Sequence, residues 1–483
     1  MSRPARQNVL ILLSDEHDPR ISGMAGHPLA RTPSLDALAR RGTRFTRAYT
    51  SSPVCVPARA SLATGRWVHE IGYWDNAMGY DGRVPGWGHA LQAAGVRVES
   101  VGKLHYRQAS DPTGFDRQHE PMHLADGIGQ VWGSVRDPMP ETMGPSPLYR
   151  EIGAGESAYN RYDQRTAEAA VAWLEERAQL RDAQPWVLFV GFVAPHFPLI
   201  VPQRYLDLYP VRDIPHPKLQ PGDGYRQHPW VAAQRRHCDH DAALGTDERR
   251  RLAIACYLGL VSFMDEQVGR VLGALDRIGL AATTQVIYSS DHGDNLGARG
   301  MWNKCLLYRE STGVPLIMAG PGVPEGRQCS THANLVDLAP TILHATGARP
   351  LPQAEPLPGR SLLELAAAPD DRERLGFSEY HAVGAPSGAF MLARGRYKYH
   401  HYVGYAPELF DLEADPEEAH DLAGDERHAP VLREFEATLR AMLDPEAIDR
   451  RAKDDQNALV ARFGGRERAL SMGPPGATPA PGA

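Results

Sequence analysis

Lysine is scarce in this chain. Of its 52 basic residues five are lysines, at positions 103, 218, 304, 398 and 453. Arginine is therefore the default cation, and a lysine inside a motif needs an explanation. A lysine ammonium is a compact charge that can donate a proton, whereas the arginine guanidinium is a planar fork that stays protonated.

Cysteine is scarce as well, and its distribution excludes two classes of protein. The five cysteines, at 55, 238, 256, 305 and 329, are scattered and odd in number. They form no Cys-x-x-Cys pair, so we expect neither a disulfide framework nor a structural zinc site.

Long apolar runs and strong net charge are also missing. The formal charge of −7 and the pI near 6.3 give no reason to expect nucleic acid or an anionic membrane as a partner. The apolar run Val9–Leu13 is too short for a signal-peptide core, and no window approaches the length of a membrane span. We therefore expect a cytoplasmic protein without a membrane or nucleic-acid partner; formation of a homo-oligomer stays open.

The distribution of apolar residues predicts an α/β fold. Short apolar or β-branched runs alternate with helical stretches, which is typical of a parallel sheet covered by helices. The predicted strands of this part are Val9–Leu13, Trp186–Val193, Gln285–Ser289 and Val314–Ala319. The predicted helices are 158–181 and 248–278, and the second carries an apolar stripe at helical spacing.

A chain of 483 residues exceeds what one hydrophobic core normally fills, so a second, smaller domain is expected. We predict a catalytic domain over 1–365, a C-terminal subdomain over 366–465, and a disordered Pro/Gly/Ala-rich tail over 466–483. The subdomain contains predicted antiparallel strands at 377–380, 389–393 and 397–403. Two irregular segments, 121–157 and 202–243, are predicted to be loops that shape a substrate pocket.

Polar residues follow three of the predicted strands. Asp15 ends the first, His196 ends the second, and Asp291-His292 follow the third. Ligands of an open parallel sheet bind beyond the carboxyl ends of its strands, so these side chains can converge. A helix cap is the plain alternative for Asp15.

The segment around Cys55 carries the strongest motif. Cys55, Pro57 and Arg59 form a Cys-x-Pro-x-Arg pattern that continues to Gly65-Arg66, and a predicted helix over 33–42 precedes it. A buried structural thiol is the alternative. The pattern resembles the signature of the formylglycine-dependent sulfatases of the alkaline phosphatase superfamily. The resemblance implies that a formylglycine-generating enzyme oxidises Cys55 to formylglycine (3-oxoalanine), whose hydrate is the nucleophile.

Further motifs extend the resemblance over nearly the whole chain. Gly102-Lys103-Leu104-His105, Pro195-His196-Phe197-Pro198, Ser290–Gly297 and Gly300–Lys304 are similar to family motifs. The resemblance implies that the catalytic residues are Cys55, Arg59, Lys103, His105, His196 and Lys304, and that Asn76 contacts substrate. In these roles Lys103 binds the anion, His105 takes a proton, and His196 and Lys304 assist departure of the alcohol.

The resemblance also implies one divalent cation. Its ligands would be Asp15, residue 55, Asp291 and His292. The oxygen ligands favour Ca²⁺, with Mg²⁺ or Mn²⁺ as alternatives because an imidazole takes part. Many relatives have Asp-Asp after the first strand; Glu16 takes the second position here, which leaves its role as a ligand open.

The implied fold is a large, mixed, mainly parallel sheet sandwiched by helices, with a C-terminal α+β subdomain that carries an antiparallel sheet. The motifs are most similar to the choline-sulfatase-like, arylsulfatase and phosphonate monoester hydrolase group. The expected substrate is a small-molecule sulfate ester. Trp74, Trp302 and Glu379 could accept a choline cation, although choline sulfatases usually have a longer, ordered tail.

Three alternatives stay open. The same residues could hydrolyse phosphonate or phosphate esters, or cleave sulfamates. The presence of the Lys-x-His pair favours sulfate over phosphonate. A metal-binding scaffold whose cysteine is never oxidised is the non-enzymatic alternative.

Overall fold

The computed structural model describes residues 6–144, 147–180, 184–354, 356–472 and 478–482. The strands, in chain order, are β1 Asn8–Asp15, β2 Gly42–Phe45, β3 Ala48–Tyr49, β4 Arg97–Lys103, β5 Arg117–Met122, β6 Gly153–Ala154, β7 Trp186–Pro195, β8 Ile200–Val201, β9 Thr284–Ser290, β10 Leu316–Ala319, β11 Arg327–Cys329, β12 Ala333–Asn334, β13 Gly376–Tyr380, β14 Ala389–Arg394, β15 Tyr397–Tyr402 and β16 Glu408–Asp411. The α-helices are α1 Pro33–Arg40, α2 Cys55–Thr64, α3 Val68–Ile71, α4 Trp87–Ala93, α5 Ala158–Gln179, α6 Gln203–Leu206, α7 Pro229–His237, α8 His240–Leu244, α9 Asp247–Arg277, α10 Arg309–Thr312, α11 Leu338–Thr346, α12 Leu362–Ala367, α13 Ala429–Met442, α14 Pro445–Phe463 and α15 Arg466–Ser471.

The main sheet has eight strands in the order β11-β2-β10-β9-β1-β7-β4-β5. Strand β10 pairs antiparallel with both of its neighbours, and every other neighbouring pair is parallel. The predicted mixed, mainly parallel sheet is therefore confirmed. The central strands β9, β1, β7 and β4 end at the same edge.

Helices cover both faces of this sheet, because its central strands are apolar on both sides. Along β1, Leu10 and Leu12 pack in the core beneath α5 and α9, whereas Val9, Ile11 and Leu13 pack in the core that contains α4 and α11. The alternation follows from the two-residue period of a strand.

Helix α9 is long and apolar enough by composition to cross a membrane, which differs from the expectation above. However, 78% of its most apolar window is buried inside the protein. Its side chains pack against α5, α1 and β7, so α9 is a core helix. Helix α5 ends at Gln179; the end of the predicted helix, residue 181, lies outside the described residues.

The C-terminal part contains the predicted antiparallel sheet, in the order β13-β14-β15-β16. Helices α13 and α14 close one face of it with Phe435, Leu439 and Ile448. The sheet is joined to the first part by a hydrogen bond from the Glu379 N–H to the Ser51 carbonyl, 2.9 Å. Ser51 lies just before Cys55, so the second sheet supports the cysteine loop.

The tail differs from the predicted disorder over 466–483. Residues 466–471 form α15, where Ala469 packs against Val131 and Val460. Residues 478–482 lie against the main part of the chain, with Ala480 buried; residues 473–477 and 483 lie outside the described residues. The Pro/Gly/Ala composition predicts irregular backbone, but small side chains can still pack in a groove.

A buried ion pair is predicted to stabilise the C-terminal sheet, and its contribution can be measured. The Lys398 ammonium on β15 lies 2.7 Å from the Glu418 carboxylate, and both side chains are buried. We expect Lys398→Met to lower the free energy of unfolding by about 3–5 kcal/mol, because Glu418 loses its counter-charge. Urea denaturation measures this change.

Lys453→Met is the matched control. Lys453 pairs with Asp449 at 2.9 Å, but the Lys453 side chain is 21% exposed. The partly exposed pair should therefore contribute less than about 1 kcal/mol. Equal losses of unfolding free energy in Lys398→Met and Lys453→Met would contradict the conclusion that the buried Lys398–Glu418 pair is the stronger one.

Candidate active site

The predicted polar residues meet at the carboxyl edge of the sheet. Strand β1 ends at Asp15, β4 ends at Lys103, and Asp291 and His196 directly follow β9 and β7. Because these four strands are neighbours in the sheet, their end residues lie close together. The convergence expected from the sequence is present.

Helix α2 brings Cys55 to this edge. Cys55 is the first residue of the helix, and Val54 before it offers no capping side chain. The Asn76 side chain supplies that function instead: its Oδ1 accepts a hydrogen bond of 3.1 Å from the Val56 N–H. Its neighbour Asp75 is held by Ser134 and by Gln456 of α14, each at 2.7 Å.

Two carboxylates and one imidazole surround the sulfur of Cys55. The sulfur lies 3.1 Å from His292 Nε2 and 3.6 Å from Asp15 Oδ1. Burial, together with the charges of Asp15 and Asp291, raises the pKa of the Cys55 thiol to about 12. An unmodified thiol here stays protonated at neutral pH and is a poor nucleophile.

Arg59, one turn along α2, joins the two carboxylates. Its Nε donates to Asp291 at 2.7 Å and one Nη donates to Asp15 at 3.1 Å. The Lys103 ammonium also lies 2.7 Å from Asp15. Burial alone would raise the pKa of Asp15, but the charges of Lys103 and Arg59 outweigh it and hold this pKa well below its usual range.

The predicted metal ligands form one buried cluster. Ligand atoms of Asp15, Cys55, Asp291 and His292 all lie within 4.8 Å of one another. His292 Nδ1 is 3.0 Å from the Gly293 carbonyl, so Nδ1 carries the proton and the Nε2 lone pair is free for the cluster. Two carboxylates and one such nitrogen fit a divalent cation, and the oxygen-rich set suits Ca²⁺, Mg²⁺ or Mn²⁺.

Glu16 pairs with Lys304, whereas Asp15 and Asp291 pair with Arg59. One of its oxygens accepts a hydrogen bond of 3.0 Å from the Lys304 ammonium and lies 3.5 Å from His196 Nε2. Its second oxygen is buried without a hydrogen-bond partner in the described part of the chain. Glu16 therefore orients Lys304 beside His196.

A partly open cavity of about 90 Å³ lies over Cys55. It is lined by Asn76, Lys103, His105, His196 and Lys304 together with residues of the two predicted pocket loops. Arg59, Asp15, Asp291 and His292 lie at its base, in contact with Cys55 or with its cluster. The structure thus assembles every site residue that was named from the sequence.

His105 and His196, two of the four histidines that line the cavity, have lowered pKa values. Burial first, and then the charge of Lys103, lowers the pKa of His105 well below its ordinary value. Burial and the charge of Lys304 do the same for His196. The Lys304 ammonium stays protonated, because the anionic groups around it outweigh burial and raise its pKa.

The tail reaches this cavity, which the sequence did not indicate. The Thr478 hydroxyl lies 2.9 Å from His105 Nε2, and the Thr478 carbonyl accepts a hydrogen bond from the Tyr159 hydroxyl. Arg165 donates to the Pro481 carbonyl at 2.9 Å. Thr478 and Tyr159 belong to the cavity lining.

The residues expected to accept choline do not come together. Trp302 lines the cavity, but Trp74 packs against His381 and donates to Asp455 at 2.7 Å. Glu379 is held between His69 and His381, 2.9 and 3.0 Å away. Trp74 and Glu379 are therefore structural residues, and these three side chains do not form one cation site.

Sequence reasoning missed several lining residues of the cavity. They are Trp132, Leu148, Gln234, His237 and His240. All lie in the two segments that were expected to be loops shaping a pocket, but the second segment is partly helical: Gln234 and His237 lie on α7, and His240 begins α8. No local pattern distinguishes these residues from their neighbours. Their position depends on how the loops fold over the sheet edge.

Comparison with known proteins agrees with this geometry. The sulfatase family pattern matches residues 7–348, and the pattern for the C-terminal part of N-sulphoglucosamine sulphohydrolase matches residues 297–444. A choline-sulfatase of Rhizobium meliloti (strain 1021) is 30% identical over 481 residues, covering 93% of this chain and 90% of the relative. Human arylsulfatase K is 28% identical and covers 86% and 78%.

Solved structures share the fold. A phosphonate monoester hydrolase of Agrobacterium radiobacter superimposes with a TM-score of 0.72 at 24% identity, covering 90% of this chain and 95% of that one.

Fold and site together define a hydrolase with the alkaline-phosphatase-like architecture. Within that class the chain belongs to the sulfatase family. It is an enzyme that hydrolyses sulfate esters, which excludes the non-enzymatic scaffold.

The ligand cluster predicts stabilisation by metal. We expect millimolar Ca²⁺, Mg²⁺ or Mn²⁺ to raise the melting temperature, because an ion that binds the native state alone stabilises it. His292→Ala should remove this shift by deleting the nitrogen ligand. Differential scanning fluorimetry after EDTA treatment measures the effect.

His344→Ala is the control, since His344 is partly exposed and pairs with Ser361 outside the cluster. It should keep the metal-induced shift. A parent protein whose melting temperature responds to none of the three ions would contradict the assignment of the cluster as a cation site.

Proposed function

We propose that the chain hydrolyses a small-molecule sulfate monoester, with Cys55 converted to formylglycine and one divalent cation held by Asp15, Asp291 and His292. One observation carries the proposal: Cys55 begins α2 at the base of a partly open cavity whose lining includes Lys103, Lys304, His105 and His196. The hydrate of formylglycine supplies a hydroxyl that can attack sulfur, and the cation supplies positive charge that polarises the sulfate.

The chain's own charges match a bound sulfate. Lys103 and Lys304 both line the cavity, and their ammonium groups can stabilise negative charge that grows on the sulfate oxygens. Arg59 holds Asp15 and Asp291 in place. We assign Lys103 and Lys304 to anion binding and Arg59 to positioning of the base of the site.

Proton transfer is divided between the remaining residues. His105 is neutral and has a lone pair, so it can accept a proton from a hydroxyl at position 55. His196 is neutral as well, whereas Lys304 carries a proton. We therefore assign donation to the leaving alcohol oxygen to Lys304, with His196 beside it on the shared partner Glu16.

The proposal predicts that Cys55→Ala abolishes turnover of 4-nitrophenyl sulfate while leaving the fold intact, because the nucleophile is lost. Protein made with a formylglycine-generating enzyme should carry an aldehyde or its hydrate in the tryptic peptide Ala48–Arg59, which mass spectrometry detects. Cys256→Ala is the control, since Cys256 lies in the core of α9. Activity of Cys55→Ala at the parent rate, or an unmodified thiol in active protein, would contradict the mechanism.

Phosphonate ester and sulfamate hydrolysis form the second candidate. The match of residues 297–444 to the N-sulphoglucosamine sulphohydrolase pattern favours keeping the sulfamate reaction in view. One aryl leaving group attached in turn to sulfate, phosphonate and sulfamate separates these activities. The highest kcat/KM for sulfate supports the proposal, and a higher value for either of the others overturns the choice of ester.

A further inference from the structure

The C-terminal tail contributes one side chain to the catalytic cavity. Thr478 lines the cavity together with Lys103, His105 and Lys304. Its hydroxyl oxygen lies 2.9 Å from His105 Nε2. In the described part of the chain, His105 Nδ1 is buried without a hydrogen-bond partner. Thr478 is therefore the residue that bonds the imidazole ring of His105 there.

Contacts on both sides of the Thr478 hydroxyl hold the tail in this position. The Thr478 carbonyl accepts a hydrogen bond from the Tyr159 hydroxyl, and the Pro481 carbonyl accepts one of 2.9 Å from Arg165. Both donors belong to α5. Ala480, which lies between the two carbonyls in the sequence, is 6% exposed and packs in an apolar cluster with residues of α5, β5 and β7. The tail is thus docked on the core by packing and by hydrogen bonds.

The ring of His105 needs a partner to keep one orientation. The backbone of His105 is fixed, since its N–H donates to the Met122 carbonyl at 2.9 Å. The torsion that turns an imidazole ring has broad minima, however, so the backbone alone does not determine where the two nitrogens point. A hydrogen bond to one nitrogen fixes the orientation of the ring and sets the role of the other nitrogen.

A threonine hydroxyl suits a histidine that gains and loses a proton. The hydroxyl can accept a hydrogen bond from an Nε2–H group or donate one to the Nε2 lone pair. The contact between Thr478 and His105 is therefore possible in both neutral tautomers of the imidazole and in its protonated form. A charged side chain in this place would instead favour one protonation state of the ring.

We propose that Thr478 is a positioning residue for His105, and that its hydroxyl holds the imidazole in the orientation that accepts a proton from a hydroxyl at position 55. The C-terminal tail is then part of the active site. The inference rests on the proposed function, because that function makes His105 the proton acceptor.

Hydrolysis of 4-nitrophenyl sulfate by the matured, full-length enzyme tests this role. Thr478→Val keeps the shape of the side chain and removes its hydroxyl. We expect kcat to fall roughly 3- to 10-fold, the effect of losing one neutral hydrogen bond, while KM stays within about twofold of the parent value. Thr478→Ser restores the hydroxyl and should bring kcat back to within about twofold of the parent.

Thr438→Val is the matched control. The Thr438 hydroxyl donates to the Glu434 carbonyl at 2.7 Å on α13, and Thr438 is not part of the cavity lining. This variant should keep the kcat and KM of the parent. A chain that ends at Met472 gives a second comparison: it lacks Thr478 and should lose at least as much kcat as Thr478→Val.

The kinetic results separate the possible failures. Parent-like kcat in Thr478→Val, or equal losses in Thr478→Val and Thr478→Ser, overturns the positioning role. A higher kcat in Thr478→Val or in the shortened chain also overturns it, because the tail would then obstruct His105. Turnover by Cys55→Ala contradicts the proposed function instead.

A measurement without turnover covers the remaining case. If the parent hydrolyses no sulfate ester, the proposed function fails, and NMR of protein with isotope-labelled histidine decides the positioning. The ring signals of His105, identified by their loss in His105→Asn, should shift in Thr478→Val and return in Thr478→Ser. Signals that are the same in the parent and in Thr478→Val overturn the proposal.

Discussion

The site depends on the pairing of two buried carboxylates with one guanidinium that contacts both, assisted at Asp15 by the Lys103 ammonium. Asp15 and Asp291 lie at the ends of neighbouring strands, and an unpaired buried charge costs several kcal/mol. Arg59 touches both carboxylates, and its remaining donor bonds the Lys103 carbonyl at 3.0 Å. Because Arg59 and Cys55 lie one turn apart on α2, this pairing also places Cys55 over the cluster.

The C-terminal part supports the same site from the opposite side. The Glu379 backbone bonds Ser51, and the charge of His69 and His381 outweighs burial and lowers the pKa of Glu379 to about 2. Gln456 of α14 bonds Asp75, beside the residue that caps α2. A substrate pocket of this kind therefore requires both sheets, although the chemistry is confined to the first.

The strand ends could be predicted because parallel strands leave their polar end residues at one edge, so Asp15, His196 and Asp291 were found from their position in the sequence. Strand β4 was missed, since Glu99 interrupts its apolar pattern; that carboxylate is buried by bonding Trp173 and His119. The lining residues Gln234 and His237 lie on α7, and they reach the cavity only because tertiary packing places this short helix over the sheet edge. Local sequence contains no signal for them, or for the docking of Thr478.

The burial of Cys55 limits when another protein can reach its sulfur atom. The residue is 1% exposed, at the base of the cavity and at the start of a helix whose every residue is buried. A second protein cannot reach this atom without unfolding α2 and the loop before it. In the proposed function, oxidation at position 55 must therefore precede folding, and the time between synthesis and closure of the sheet edge would limit how much of the protein becomes active.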